Sequence, residues 1–264
     1  MGCASSNQST LNGRIMSCTC GPSLGTPEKI AEVIKEGVGL IRINFSHGGP
    51  EDHKKFHAQI KKAFEIAGKE IPIMGDIQGP KFRVGMFQDN QEFQLDTGAE
   101  FTFDSNETPG DATRVHLPHP EIFTSCTKDD LILLNDGIVH LKVLENGNDF
   151  IKAVVTKPGP ISSRKGISLP HCHIKTKFPT DRDLISIQTC NELKLPVLML
   201  SFVQTAEDVK NVKKLVHKGC KLMPKIEMPH AVQNMDSILK ESDMILVARG
   251  DLAVEGGMPN LPKN

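Results

Sequence analysis

The sequence predicts an α/β fold in which about six strand-and-helix units build a parallel sheet, interrupted once by an all-β insertion. Three observations predict it. Apolar runs of strand length alternate with stretches whose apolar residues recur at helical spacing. That alternation stops after Pro80 and resumes at Thr180. Between those points the helical period gives way to short β-rich runs separated by turn residues.

The elements follow in order. Residues 1–12 are small and polar and read as a disordered tail. Arg14 leads into a first strand, Ile15 to Cys20, broken by Gly21 and Pro22. Thr26 caps a helix with Pro27 at its first position, Ile30, Val33 and Ile34 inward, and Gly37 as its stop. A second strand, Leu40 to Asn44, runs into Phe45-Ser46-His47-Gly48. The helix from Glu51 turns Phe56, Ile60, Phe64 and Ala67 to one face, and Ile71 to Asp76 is a third strand.

The insertion holds runs such as Glu100 to Phe103, Leu131 to Leu134, Val139 to Leu144 and Phe150 to Thr156, with turns at Asn146-Gly147 and Pro158-Gly159-Pro160. Thr180 and Asp183 then form a capping box ahead of Leu184, Ile187 and Leu193. Pro196 opens a fourth strand, Val197 to Phe202. Thr205 and Asp208 cap a helix with Val209, Val212, Leu215 and Val216 inward and Gly219 at its end. Lys221 to Ile226 and Met244 to Ala248 are the fifth and sixth strands, with Val232, Met235, Ile238 and Leu239 marking the helix between them. The expected organisation is a tail at 1–12, an α/β part at 13–81 and 170–264, and an inserted β lid at 82–169. Outside tail and insertion about 165 residues remain, against roughly 250 for a complete eight-unit barrel. Either the sheet is open or a barrel stops after its sixth strand.

Composition narrows the function classes. The net charge of -1 over 264 residues argues against a nucleic-acid or polyanion binder. No apolar run reaches the length of a membrane span. The seven cysteines are scattered and odd in number, which fits a reducing compartment better than a disulfide framework. The opening MGCASS matches the acylation pattern at Gly2, with Cys3 as a second acceptor, so two readings stand there: a membrane tether and a plain disordered start.

The chemistry concentrates where strands end. In a parallel sheet the carboxyl ends of neighbouring strands share one face, so Glu227 after the fifth strand and Asp251 after the sixth are expected to meet. Two such carboxylates repel, and a hard divalent cation, bound through them and through substrate oxygens, resolves the repulsion. Lys225 and Arg249 add positive charge beside them, which suits an anionic substrate; a surface ion-pair cluster is the other reading. Arg42, Asn44, Ser46 and His47 close the second strand, and Asp76 the third, with Lys81 and Arg83 following. One fixed cation among hydrogen-bonding groups suits phosphate or a bound ion, though loop polarity accounts for it equally. Lys165 reads either as a lid cation or as a solvated lysine. His171-Cys172-His173 lacks a second ligand pair and reads as a polar hinge loop. Cys18 and Cys20 share one face of a buried strand and read as packing. The glycine-rich nucleotide loops with G-x-x-x-x-G-K-[ST] or G-x-G-x-x-G patterning do not occur.

Taken together, CTCGPS (18–23), RINFSHG (42–48), GDIQGPKFR (75–83), NDGIV (135–139), RKGISLP (164–170), SFV (201–203), KIE (225–227) and VARGDLAVE (247–255) resemble the pyruvate kinase family, in its order and spacing. The resemblance implies a (β/α)8 TIM barrel, here incomplete with about six strands, carrying a β domain after the third strand. It implies phosphoryl transfer from phosphoenolpyruvate to ADP, giving pyruvate and ATP, a cytoplasmic step of glycolysis. By that resemblance Glu227 and Asp251 hold Mg2+ or Mn2+, Lys225 neutralises the phosphoryl in flight and the enolate, and Arg42 holds the phosphate. Gly250 and Asp251 meet the substrate, while Asn44, Ser46, Asp76 and Ile77 match potassium ligands. His47, Arg83 and Lys165 match nucleotide contacts.

Departures from the family pattern carry their own expectations. Ile77 and Gln78 replace a Thr-Lys pair. Lys81 stands where many members carry Glu, so K+ is expected to be dispensable, a tethered ammonium supplying its charge. The chain stops before the family's seventh and eighth strands and its C-terminal domain, which hold a threonine tied to enolate protonation, part of the nucleotide pocket, the allosteric site and much of the oligomer interface. The expectation is therefore a truncated or divergent pyruvate kinase with weakened homo-oligomerisation. The alternative is a catalytically impaired remnant that binds ligands or partners, and a lyase of the same barrel type is a third reading.

Overall fold

The computed structural model describes residues 15–256 apart from His171, His173 and Lys175. The acylation motif at Gly2 and Cys3, the tail, and both histidines of the hinge motif lie outside the described residues. The elements run β1 (Met16–Cys20), α1 (Pro27–Lys35), β2 (Val38–Asn44), α2 (Pro50–Ala67) and β3 (Ile73–Ile77). Next come β4 (Phe93–Leu95), β5 (Glu100–Asp104), β6 (Arg114–His116), α3 (Pro120–Phe123), β7 (Leu131–Leu134), β8 (Val139–Asn146), β9 (Phe150–Lys157), β10 (Gly159–Ile161) and β11 (Ile167–Ser168). The chain continues through α4 (Asp181–Glu192), β12 (Val197–Leu200), α5 (Ala206–Lys213), β13 (Lys221–Ile226), α6 (Pro229–Gln233), α7 (Met235–Glu241), β14 (Leu246–Val247) and α8 (Arg249–Gly256).

The described chain divides into two compact units. One comprises residues 15–79, Phe178–Lys225 and Asn234–Leu246; the other comprises Pro80–Lys177, Ile226–Gln233 and 247–256. The principal sheet runs β1-β2-β3-β12-β13-β14. Its pairs from β1 to β13 are parallel. Each strand lies beside its predecessor in the chain, which is the winding of a (β/α) barrel rather than of a doubly wound sheet. The fold is thus α/β, an incomplete TIM barrel.

Alternation sorts the side chains of this sheet. Ile41, Ile43, Ile73, Ile77, Leu198, Leu200 and Leu222 are buried on the helix-facing side. Gly75 sits there because a Cβ would come 2.7 Å from the Phe45 ring. On the other side Met74, Val197 and Met199 form a second apolar cluster with Leu40, Met223, Met244 and Leu246.

In the second unit β11-β7-β8-β9-β5-β6 form one sheet, and β10 pairs β4. Phe101, Phe103, Val115, Phe123, Ile132 and Val143 lie in its core, all but excluded from solvent. Asn135, Asp136 and Gly137 turn the chain with successive positive φ values of 50°, 54° and 82°.

Several sequence expectations are corrected. β1 is the sheet's edge rather than a buried strand, and Met16 is exposed. Leu184 is exposed on α4, whose inward residues are Asp183, Ser186, Ile187, Thr189 and Cys190. α5 ends at Lys213, leaving Leu215 exposed. The Asn191 side chain explains that end: its amide donates to the Leu215 carbonyl and its oxygen accepts from the His217 N–H. The single helix expected between β13 and β14 is two, broken at Asn234, whose side-chain amide donates to the Gln204 carbonyl at 3.0 Å. Only Ile238 of its four marker residues is buried; Val232 and Leu239 are exposed. The sixth strand is just Leu246–Val247, and Arg249, Gly250 and Asp251 form the first turn of α8.

Candidate active site

The side of the principal sheet that carries the methionine cluster turns polar at its carboxyl end. Register sets Thr19 beside Arg42, Asn44 beside Asp76, and Asp76 beside Met199. Two residues on from each apolar position, the same face presents Arg42, Asp76, Ser201 and Lys225.

These groups form one hydrogen-bonded chain across five strand ends. Arg42 Nη1 donates to Thr19 Oγ1 at 2.9 Å. Arg42 Nε and Nη2 both reach Asp76 Oδ2, at 2.7 and 2.5 Å. Ser201 donates to Asp76 Oδ1 at 3.2 Å, and Lys225 Nζ donates to Ser201 Oγ at 3.1 Å. Lys225 Nζ lies 4.0 Å from Asp76. Asp76 is nearly buried, with 2% of its side chain exposed, against 26% for Arg42 and 14% for Lys225. One buried carboxylate thus orients two cations, and the group keeps a formal positive charge in a sparsely solvated place, where charge acts strongly.

The loop after β2 is held from several sides. Ser46 N–H donates to Asn44 Oδ1, Arg182 donates to the Ser46 carbonyl, and His53 Nε2 bonds the His47 carbonyl at 2.8 Å. Beyond β3, Gly79 has φ +65°, and a Cβ there would lie 2.1 Å from the Ser201 carbonyl. Its N–H donates to Asp183 Oδ1. The other oxygen of that buried carboxylate closes the predicted capping box with Thr180. Asp183 therefore ties the turn after β3 to the start of α4.

The second unit holds an acidic group. Glu227 is buried, and Asp251 and Glu255 stand one turn apart on α8. Burial pushes the Glu255 carboxyl up to about 7; Asp251 and Glu227 push the same way, against the Ser168 hydrogen bond and Lys81. Ser168 Oγ donates to Glu255 Oε2. Lys81 Nζ is 3.6 Å from Asp136. Carboxylate oxygens are the donor type that a hard divalent cation takes. Among the described residues no group of three or more His, Cys, Asp or Glu side chains comes together as a metal-holding set. Gly250, in the first turn of α8, has open space where a Cβ would be.

Arg83 and Lys165 lie on facing segments of the second unit. Arg83 bridges Gly166, its Nη1 donates to the Arg164 carbonyl at 2.9 Å, and Val84 N–H donates to the Lys165 carbonyl. Sequence reading missed Ser201 as a linker, Asp183 as a tie and Glu255 altogether. The i, i+4 spacing of Asp251 and Glu255 was the available signal, hidden by reading that stretch as a strand end. Cys172 donates to Asp130 at 3.4 Å, and burial pushes its thiol up to about 12, which agrees with packing rather than metal binding. No helix among the described residues is long and apolar enough to cross a membrane.

Comparison with known proteins gives the family. The family model "Pyruvate kinase, barrel domain" matches residues 12–263. A pyruvate kinase of Agrobacterium vitis is 38% identical over 90% of this chain and 50% of its own length. One from Methylorubrum extorquens is 38% identical over 92% of this chain and 51% of its own, and one from Thermococcus litoralis 34% over 92% and 52%. The chain spans about half the length of the curated relatives it matches. With the strand order of the sheet and a family model matching nearly the whole chain, the chain belongs to the pyruvate kinase family.

Proposed function

We propose that the chain carries a phosphoryl-transfer site of the pyruvate kinase type, acting on phosphoenolpyruvate and ADP. The observation that supports it most is the Arg42–Asp76–Ser201–Lys225 chain, which fixes two cations at the carboxyl end of one parallel sheet. Arg42 is held before substrate arrives, so binding a phosphate costs little further ordering of that side chain. Lys225 presents a compact positive charge to the phosphoryl group in flight and to the enolate oxygen left behind. The phosphorus–oxygen bond to the enolate breaks as one forms to the terminal oxygen of ADP, and the enolate carbon then takes a proton to give pyruvate.

Glu227 and Asp251 are the residues that would hold Mg2+ or Mn2+, with Glu255 beside them. When bound, the metal polarises substrate oxygens and neutralises their charge. Gly250 offers the first-turn backbone of α8 to the substrate carboxylate. His47, Arg83 and Lys165 are assigned to the nucleotide. The residues matching potassium ligands are already partly engaged: Asn44 Oδ1 accepts from the Ser46 N–H, Asp76 Oδ2 from Arg42 and Asp76 Oδ1 from Ser201.

The experiment is pyruvate formation from phosphoenolpyruvate and ADP as magnesium is titrated, for the wild type and for Asp251→Asn. The reading expects a saturable magnesium requirement whose midpoint rises roughly 10- to 100-fold in the variant. Binding of phosphoenolpyruvate without any turnover, or a rate indifferent to magnesium, would contradict it.

A further inference from the structure

Cys190 and Cys220 belong to no part of the site above. Cys190 is on α4 and fully buried, while Cys220 is half-buried in the turn that leads into β13. Their sulfurs lie 3.9 Å apart, both as free thiols. A disulfide needs roughly 2 Å, so an approach of about that much closes the bond. The Cys220 side can supply it: the turn carries Gly219, beside which only the His217 ring lies within 4 Å of a built Cβ.

The two thiols are chemically unequal. The hydrogen bond from Cys190 lowers the Cys220 thiol, against the effects of burial and of Asp243. That bond and burial push Cys190 up. Elsewhere burial raises the thiols of Cys20 and Cys126 to about 11 and of Cys172 to about 12. A partly exposed cysteine beside a fully buried one is the arrangement of an attacking and a resolving thiol.

We propose that Cys190 and Cys220 are a reversible redox pair, in which Cys220 attacks a low-molecular-weight disulfide and Cys190 resolves the adduct. In the first step the Cys220 thiolate bonds to one sulfur of the reagent, and the other sulfur leaves as a thiolate. In the second, Cys190 gives its proton to the released thiolate and attacks the Cys220 sulfur, expelling the second reagent thiol. The protein loses two electrons and two protons, and one disulfide becomes two thiols. The cross-link joins α4, whose first turn holds Gly79 through Asp183, to the amino end of the strand that carries Lys225. The inference does not rest on the phosphoryl-transfer reading.

The test treats the native chain with oxidised glutathione, blocks free thiols, and maps peptides without reduction. The expected product links the Cys190 and Cys220 peptides with the loss of two hydrogen atoms, and dithiothreitol reverses it. Cys190→Ser, with Cys190→Ala as a second variant at that buried position, is expected to stop at a glutathione adduct on Cys220; Cys220→Ser is expected to form neither. A wild-type chain that accumulates the Cys220 adduct without linking, or that links either cysteine elsewhere, would overturn the proposal. So would a pair left unmodified while other cysteines react.

Discussion

Gly79 shows how much a single position carries. Its positive φ and the 2.1 Å approach of the Ser201 carbonyl leave no room for a side chain. Gly79→Ala is therefore expected to cost about 3 kcal/mol, combining backbone strain with displacement of Ser201 from its bonds to Asp76 and Lys225. Denaturant unfolding checks the stability, and a parallel loss of turnover checks the displacement. His119 carries a different signal. Burial lowers its pKa below the usual 6.5, with His116 acting the same way and Glu121 and the Arg83 N–H contact opposing. A histidine depressed in the folded state contributes stability that is present above 6.5 and lost as pH falls below it. The second unit is expected to weaken below pH 6.5, and His119→Gln to flatten that dependence in pH-resolved unfolding. At this scale the polar strand ends Arg42, Asp76 and Lys225 were legible because a parallel sheet gathers them on one side. Ser201 and Glu255 were not, since each works through a partner distant in sequence.

Elements with local signals were read well. Thr26, Thr180 and Thr205 each accept from a backbone N–H at the start of a helix, as their spacing predicts. Thr205→Ala is expected to cost about 1 kcal/mol in unfolding experiments, a cap lost with little else changed. Asp183→Ala is expected to cost more, because it also strips the Gly79 N–H of its partner in a buried place. Helix ends set by tertiary contacts were not legible. α5 stops where Asn191 takes up the groups of Leu215 and His217, and the break at Asn234 follows its bond to Gln204. Apolar periodicity continues past both points, so Leu215 and Leu239 looked inward on sequence and are exposed.

For the molecule as a whole, strand-and-helix alternation and its interruption after Pro80 carried the architecture. The strand order, each strand beside its predecessor, was the information periodicity lacked, since it separates a barrel winding from an open doubly wound sheet. Division of the acids and cations between two compact units was equally hidden, because Lys225 and Glu227 are two residues apart in the chain. Potassium bears on the whole arrangement: with Lys81 standing where many family members carry Glu, adding potassium at fixed ionic strength is expected to leave the rate unchanged. A clear stimulation would contradict that. The central claim is that the network ending at Lys225 performs phosphoryl transfer. It is tested most directly by a single-turnover measurement of ATP formed from phosphoenolpyruvate and ADP, with wild type and Lys225→Met side by side. The account predicts transfer by the wild type and a rate lower by about 100-fold or more in the variant, with phosphoenolpyruvate still bound; equal rates in the two, or none in the wild type, would contradict it.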